Sequence, residues 1–181
     1  MTKALLVIDV QNDYFSGGKM ELVGAQAAAQ NVHRLQSHFR QNSWPVINVQ
    51  HVALGAGATF FLPDTFGVEI NQDALPVDGE TIVVKHFPNA FRDTNLKWLL
   101  EDLGVTDLTV AGMMTHMCVD TTVRAASDLG LKVTLVGDAC ATKDLEFEGT
   151  VTPAALVQVA YLAAIDGTFA DVVSAQAILG E

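Results

Sequence analysis

Apolar and polar positions along this chain follow two alternating rhythms. "ALLVIDV" (Ala4–Val10) is a near-continuous apolar run interrupted only by Asp9, the mark of a strand buried on both faces. From Gly24 to Asn42, small or apolar residues recur at Ala28, Val32, Leu35 and Phe39 with polar residues between them, which predicts an amphipathic helix. "PVINVQH" (Pro45–His51) is a second strand, with proline tolerable at its start. "TIVVKH" (Thr81–His86), "LTVAG" (Leu108–Gly112), "KVTLVGD" (Lys132–Asp138) and the late "ADVVSA" read as four more. Helical spacing covers Thr94–Leu103, Thr115–Leu129 and Pro153–Ile165, and Gly104, Gly130 and Gly167 stand just past those stretches as C-caps.

Strands alternating with helices predict βαβ units and a parallel sheet covered on both faces. The 181 residues suit one domain spanning the whole chain, 1–181. One stretch breaks the rhythm. Val52 to Gly79, with "LGAGATFFLPDTFG" inside it, is long for a connection; such loops are usually functional or contact another subunit.

Ligands of such sheets bind outside the C-terminal ends of the strands. There the first strand delivers Asp9, the third Lys85 and His86, and the fifth Asp138, while the fourth leads through Gly112 to Cys118. A carboxylate, an amine and a thiol therefore converge on one rim. With Thr115 as N-cap, Cys118 takes the third helical position, where free N–H groups favour a thiolate and lower the thiol pKa. The competing reading is an inert buried cysteine. Asp9 and Lys85 would each be costly to bury alone. They form either a structural ion pair or, with the thiol, a base–nucleophile set.

His33, His38, His51, His86 and His116 show no ligand spacing, so no metal is expected. His86 and His116 flank the candidate lysine and cysteine and are read as pocket walls. Phe15, Phe60, Phe61, Phe66 and Phe91 fall outside the periodic segments; of these, Phe15 and Phe91 are taken as substrate contacts. Neither a dinucleotide nor a P-loop glycine motif occurs, and no cofactor is expected. A formal net charge of −11 argues against nucleic acid or an anionic membrane as partner. No apolar run is long enough to span a bilayer, and the N-terminus lacks a cleavage-site pattern. Two cysteines, Cys118 and Cys140, suit a reducing cytoplasm.

"LLVIDVQNDYF", "VVKHFPNAF", "VAGMMTHMCVDTTVRAASDLG" and "VTLVGDACAT" together resemble the isochorismatase-like cysteine hydrolases, in order and over nearly the whole chain. The resemblance implies a three-layer α/β/α Rossmann-like sandwich with a six-stranded, mostly parallel sheet, assembled as a homodimer or homotetramer. It implies a catalytic triad of Asp9, Lys85 and Cys118, a non-proline cis peptide at Met113–Met114, and an oxyanion hole from the N–H groups of Met114 and Cys118. The implied chemistry is cleavage of a C–N bond in a small amide, carbamoyl or imide substrate through a thioester. The chain departs from the pattern in places. Nicotinamidases of this type carry a D-x-H metal motif where this chain reads "NVQHVALG", and a common Ser-Ala-Phe is here Asn89-Ala90-Phe91. A nicotinamidase or isochorismatase-type hydrolase, a non-catalytic binding protein on the same fold, and a redox-sensing thiol protein remain alternatives. The apolar "VTPAALVQVAYLAAIDG" is an internal helix, a subunit contact, or both.

Overall fold

A computed structural model describes residues 2–180. The sheet strands are β1 (Thr2–Ile8), β2 (Val46–His51), β3 (Thr81–Lys85), β4 (Val105–Met113), β5 (Lys132–Ala141) and, after a small hairpin β6 (Leu145–Phe147)–β7 (Thr150–Thr152), β8 (Asp171–Val173). They lie in the order β3-β2-β1-β4-β5-β8, and every pairing is parallel. The unbroken apolar run of β1 is explained by its central place. Leu5 and Val7 join the core under α1 (Ala25–Gln41) and α5 (Ala175–Leu179). Ala4, Leu6 and Ile8 join the opposite core, under α2 (Leu96–Asp102), α3 (Asp120–Asp128) and α4 (Ala154–Ile165). This is the α/β/α sandwich that the pattern and the resemblance implied.

Chain order reverses on either side of β1, which makes the β1–β4 boundary the topological switch point where open parallel sheets bind ligands. Gly112 sets how closely those two strands approach. It is paired with Ile8, its φ is 132°, and a Cβ there would lie 2.0 Å from the Ile8 carbonyl oxygen. Only glycine permits that approach and that backbone angle. The turn carrying Cys118 is thereby held beside the end of β1.

Several boundaries differ from the sequence reading, each for a physical reason. β1 stops at Ile8, and Asp9 lies just beyond it in a left-handed conformation (φ 50°) that aspartate tolerates better than most residues. The helix expected from Thr115 begins instead as a π turn, Thr115–Val119, before α3. Thr115 is not its cap: Met114 takes that position, and the Thr115 hydroxyl donates to the Ala141 carbonyl. The hairpin was not anticipated because two three-residue strands are too short to show alternation.

The long 52–79 connection is ordered by two buried side chains that follow β1. Gln11 donates to the carbonyls of His51 and Val68 and accepts from the His51 N–H. Asp13 accepts from the N–H groups of Phe61, at 2.6 Å, and Lys19, at 3.1 Å. Gly67 lies against that carboxylate so closely that a Cβ would come within 2.2 Å of it. The connection is thus tied across the C-terminal edge of the sheet.

Candidate active site

Four neighbouring strands deliver one side chain each to the same point: Lys85 from β3, His51 from β2, Asp9 from just past β1, and Cys118 from the turn after β4. Lys85 starts two strands from Asp9, roughly 10 Å of lateral spacing, and its long stem crosses beneath the pocket. Its Nζ lies 2.7 Å from Asp9 Oδ2, 2.7 Å from His51 Nδ1 and 3.3 Å from Cys118 Sγ. Asp9, Lys85 and Cys118 are all buried.

Asp9, His51 and Cys118 have donor atoms within 4.8 Å of one another, and such a set could in principle ligate a metal. The Lys85 ammonium stands within contact of all three. The cation that these donors surround is therefore the chain's own, and a metal ion would have to displace it.

The electrostatics follow from burial and from these contacts. Burial raises the Asp9 carboxyl above its ordinary range, opposed by the Lys85 charge. Burial works against the Lys85 ammonium, but the charge of Asp9, then that of Cys118, and their hydrogen bonds hold it above its usual value. The Cys118 thiol is pushed well up, first by burial and then by the Asp9 charge, with Lys85 opposing. The thiol pKa thus moves opposite to the lowering that a helix-end position predicts, because the depth of the sulfur and the adjacent carboxylate outweigh the turn's N–H groups. These directions favour a neutral thiol at rest beside the 2.7 Å Asp9–Lys85 pair. His51 is driven down to about 4 by burial and by the Lys85 and His86 charges, so it stays neutral and can accept from Lys85.

Above Cys118 opens a cavity of about 360 Å³, within the size of small-molecule sites. Tyr14, Phe60 and Phe61 form one wall, with ring centroids 4.6 Å (Tyr14–Phe61) and 4.9 Å (Phe60–Phe61) apart. Met114, Met117 and His116 come from the cysteine turn. The Met113–Met114 peptide bond is cis.

A family model described as the Isochorismatase domain matches residues 3–176. The chain belongs to the isochorismatase family. It is 49% identical over 179 residues to an uncharacterized isochorismatase family protein, YddQ, of Bacillus subtilis, covering 99% of each chain. Among solved structures it is similar to a putative isochorismatase hydrolase from Oleispira antarctica, at 45% identity and a TM-score of 0.96, covering 99% of this chain and 97% of that one. It is also similar to a cysteine hydrolase from Pseudomonas syringae pv. phaseolicola, at 25% identity and a TM-score of 0.91, covering 98% and 91%. The chain is accordingly an isochorismatase-family hydrolase.

In this isochorismatase-family chain the sequence-selected residues divide into two groups. Asp9, Lys85 and Cys118 meet, and Met114 and His116 line the cavity. Phe15, His86 and Phe91 are not brought to it. Phe15 is buried in the core beneath α1, and Phe91 packs against the core on the α2 side. His86 is exposed, its Nδ1 lying 2.8 Å from the Val52 carbonyl oxygen. Asp138 is also diverted from the rim, accepting from the Ala175 N–H at the start of α5. His51, Tyr14 and Lys143 belong to the site without having been selected. Of these only His51 carried a signal in sequence, its place at a strand end next to the long connection. The β2–β3 register that pairs it with Lys85 appears only in the fold.

Proposed function

We propose that this protein is an amidohydrolase that cleaves the C–N bond of a small amide, carbamoyl or imide compound through a Cys118 thioester. One observation carries the reading: the Lys85 ammonium contacts both the Asp9 carboxylate and the Cys118 thiol at the floor of a largely apolar cavity. Asp9 accepts the thiol proton as sulfur attacks the carbonyl carbon. The raised carboxyl pKa makes Asp9 a better base than an ordinary aspartate. The carbonyl electron pair moves to oxygen, where the N–H groups of Met114 and Cys118 stabilise it.

Collapse of that intermediate breaks the C–N bond, and Asp9 returns the proton to the departing amine. Amines leave poorly without that proton, so an acid–base group beside the thiol suits C–N cleavage. Water then gives a proton to Asp9 and attacks the thioester, and the released sulfur recovers the proton. Throughout, Lys85 keeps Asp9 ionised and offsets the charge of the thiolate. His51, neutral and bonded to the ammonium, holds Lys85 in place. No redox or group-carrying cofactor enters this cycle.

The test is turnover of a panel of small amides, ureido compounds and cyclic imides by the wild type and by Cys118→Ser. The serine variant should lose activity by about 10³-fold or more with unchanged circular dichroism and thermal midpoint. Retained turnover would overturn the nucleophile. We also place the protein in the cytoplasm, on the strength of two free buried cysteines. No helix among the described residues is long and apolar enough to cross a membrane. Self-association through α4 is a further proposal.

A further inference from the structure

The cavity over Cys118 is walled mostly by aromatic, methionine and other apolar side chains, and among the described residues no carboxylate lines it. One charged side chain does: Lys143. It follows β5 directly after Thr142, whose hydroxyl bonds the His116 ring, so the same local structure places Lys143 and His116 on the rim above the thiol. Lys143 is half-buried, and its Nζ has a thioether as its bonding partner, Met20 Sδ at 3.5 Å. Sulfur of that kind is a weak acceptor.

Among the described residues no ion pair includes this ammonium. Asp144, next in sequence, accepts from the Ala154 N–H at 2.7 Å. Asp120 pairs with Arg124, and Asp9 with Lys85. The chain holds 21 acidic residues against 10 lysines and arginines, yet among the described residues none forms an ion pair at this point. The Lys143 charge does reach into the pocket, since after burial it is the main influence holding the His116 ring below its usual pKa. An ammonium partly withdrawn from water, without a protein anion, is a poor structural element and a good receptor for an anionic ligand.

We infer that Lys143 is a specificity-determining residue and that the substrate is an anionic amide, a small carboxylate-bearing amide, carbamoyl or imide compound. Its carboxylate pairs with Lys143 while its scissile carbonyl lies over Cys118. The inference rests on the proposed hydrolytic reading for the position of the carbonyl, and on the cavity itself for the cation.

The test uses iodoacetate and iodoacetamide, reagents of similar size that differ in one carboxylate. The alkylation rate of Cys118 by each is measured by peptide mass spectrometry in wild type, Lys143→Met and Lys143→Arg. Dividing one rate by the other removes any change in thiol reactivity caused by the substitution. Lys143→Met should lower the iodoacetate-to-iodoacetamide ratio about 10- to 100-fold, the range of a charge-assisted hydrogen bond, and Lys143→Arg should restore most of it. An unchanged ratio in both variants overturns the inference and leaves Lys143 as a side chain that merely extends past the pocket into water.

A second measurement separates this from failure of the nucleophile. In a Cys118→Ala background, binding of N-acetylglycinate and of its neutral amide is compared by calorimetry with and without Lys143→Met. A carboxylate preference of about 10-fold or more that disappears with Lys143→Met supports the inference even if Cys118 proves unreactive. No preference overturns it even if Cys118 is catalytic.

Discussion

At the scale of single residues, the Cys118 thiol is governed more by its burial and its neighbour's charge than by its place at a helix end. After burial, the Asp9 charge is what raises the Cys118 pKa, with Lys85 opposing, so removing the carboxylate charge should favour the thiolate. Asp9→Asn is therefore expected to speed iodoacetamide alkylation of Cys118 at pH 7.5 by about 10-fold or more, one pKa unit's worth, while abolishing turnover. Slower alkylation together with lost turnover would contradict this electrostatic account. The pH profile tests the same residue. Asp9 must be ionised to accept the proton, and its pKa is raised, so kcat/KM should fall with decreasing pH through a value above the ordinary aspartate value of about 3.9. His51, driven down to about 4, is neutral above that pH. An acid limb at or below pH 4 would remove Asp9 as the base.

At the scale of elements, the scaffold was legible wherever burial was regular. The continuous apolar run of β1 and the helical spacing in α1 each report a face that packing requires, and they appear close to where they were read. Asp9 and Lys85, which meet at the site, were legible because polar residues ending apolar strands need a reason to be there, although the same reasoning misplaced Asp138. Irregular elements were not. Five residues cannot show whether a turn is α or π, and loop phenylalanines carry no sign of their direction, so Phe15 could not be told from Phe61 without the tertiary fold. The tie between the loops was equally hidden, because Asp13 meets the Phe61 and Lys19 N–H groups only after folding. That tie can be tested. Asp13→Ala should strand two N–H groups, lower unfolding free energy by about 2–4 kcal/mol, and accelerate hydrogen exchange at Phe61 and Lys19. Unchanged exchange at both amides would show that the loops hold without the carboxylate.

At the scale of the whole molecule, α4 sets an apolar surface against a strongly acidic chain. The helix contains no charged residue, yet Leu156 is 61% and Val159 65% exposed, and Phe147 and Val151 of the preceding hairpin are 77% and 55% exposed. Covering each large apolar side chain contributes about 1.5–3 kcal/mol, so a second copy is a chemically sufficient occupant. Two copies at −11 each repel over distances comparable to the screening length, about 10 Å at 0.1 M salt. Both effects give the proposed association a recognisable signature: apolar contact would hold it, and added salt would strengthen it by weakening the repulsion. Light scattering after size exclusion should therefore give a dimer or larger assembly whose population grows between low and moderate salt. Leu156→Glu should shift it toward monomer, because the new carboxylate must be either buried or placed near its symmetry mate. A clean wild-type monomer at micromolar concentration in 0.3 M salt would remove the assembly and leave α4 an exposed apolar helix.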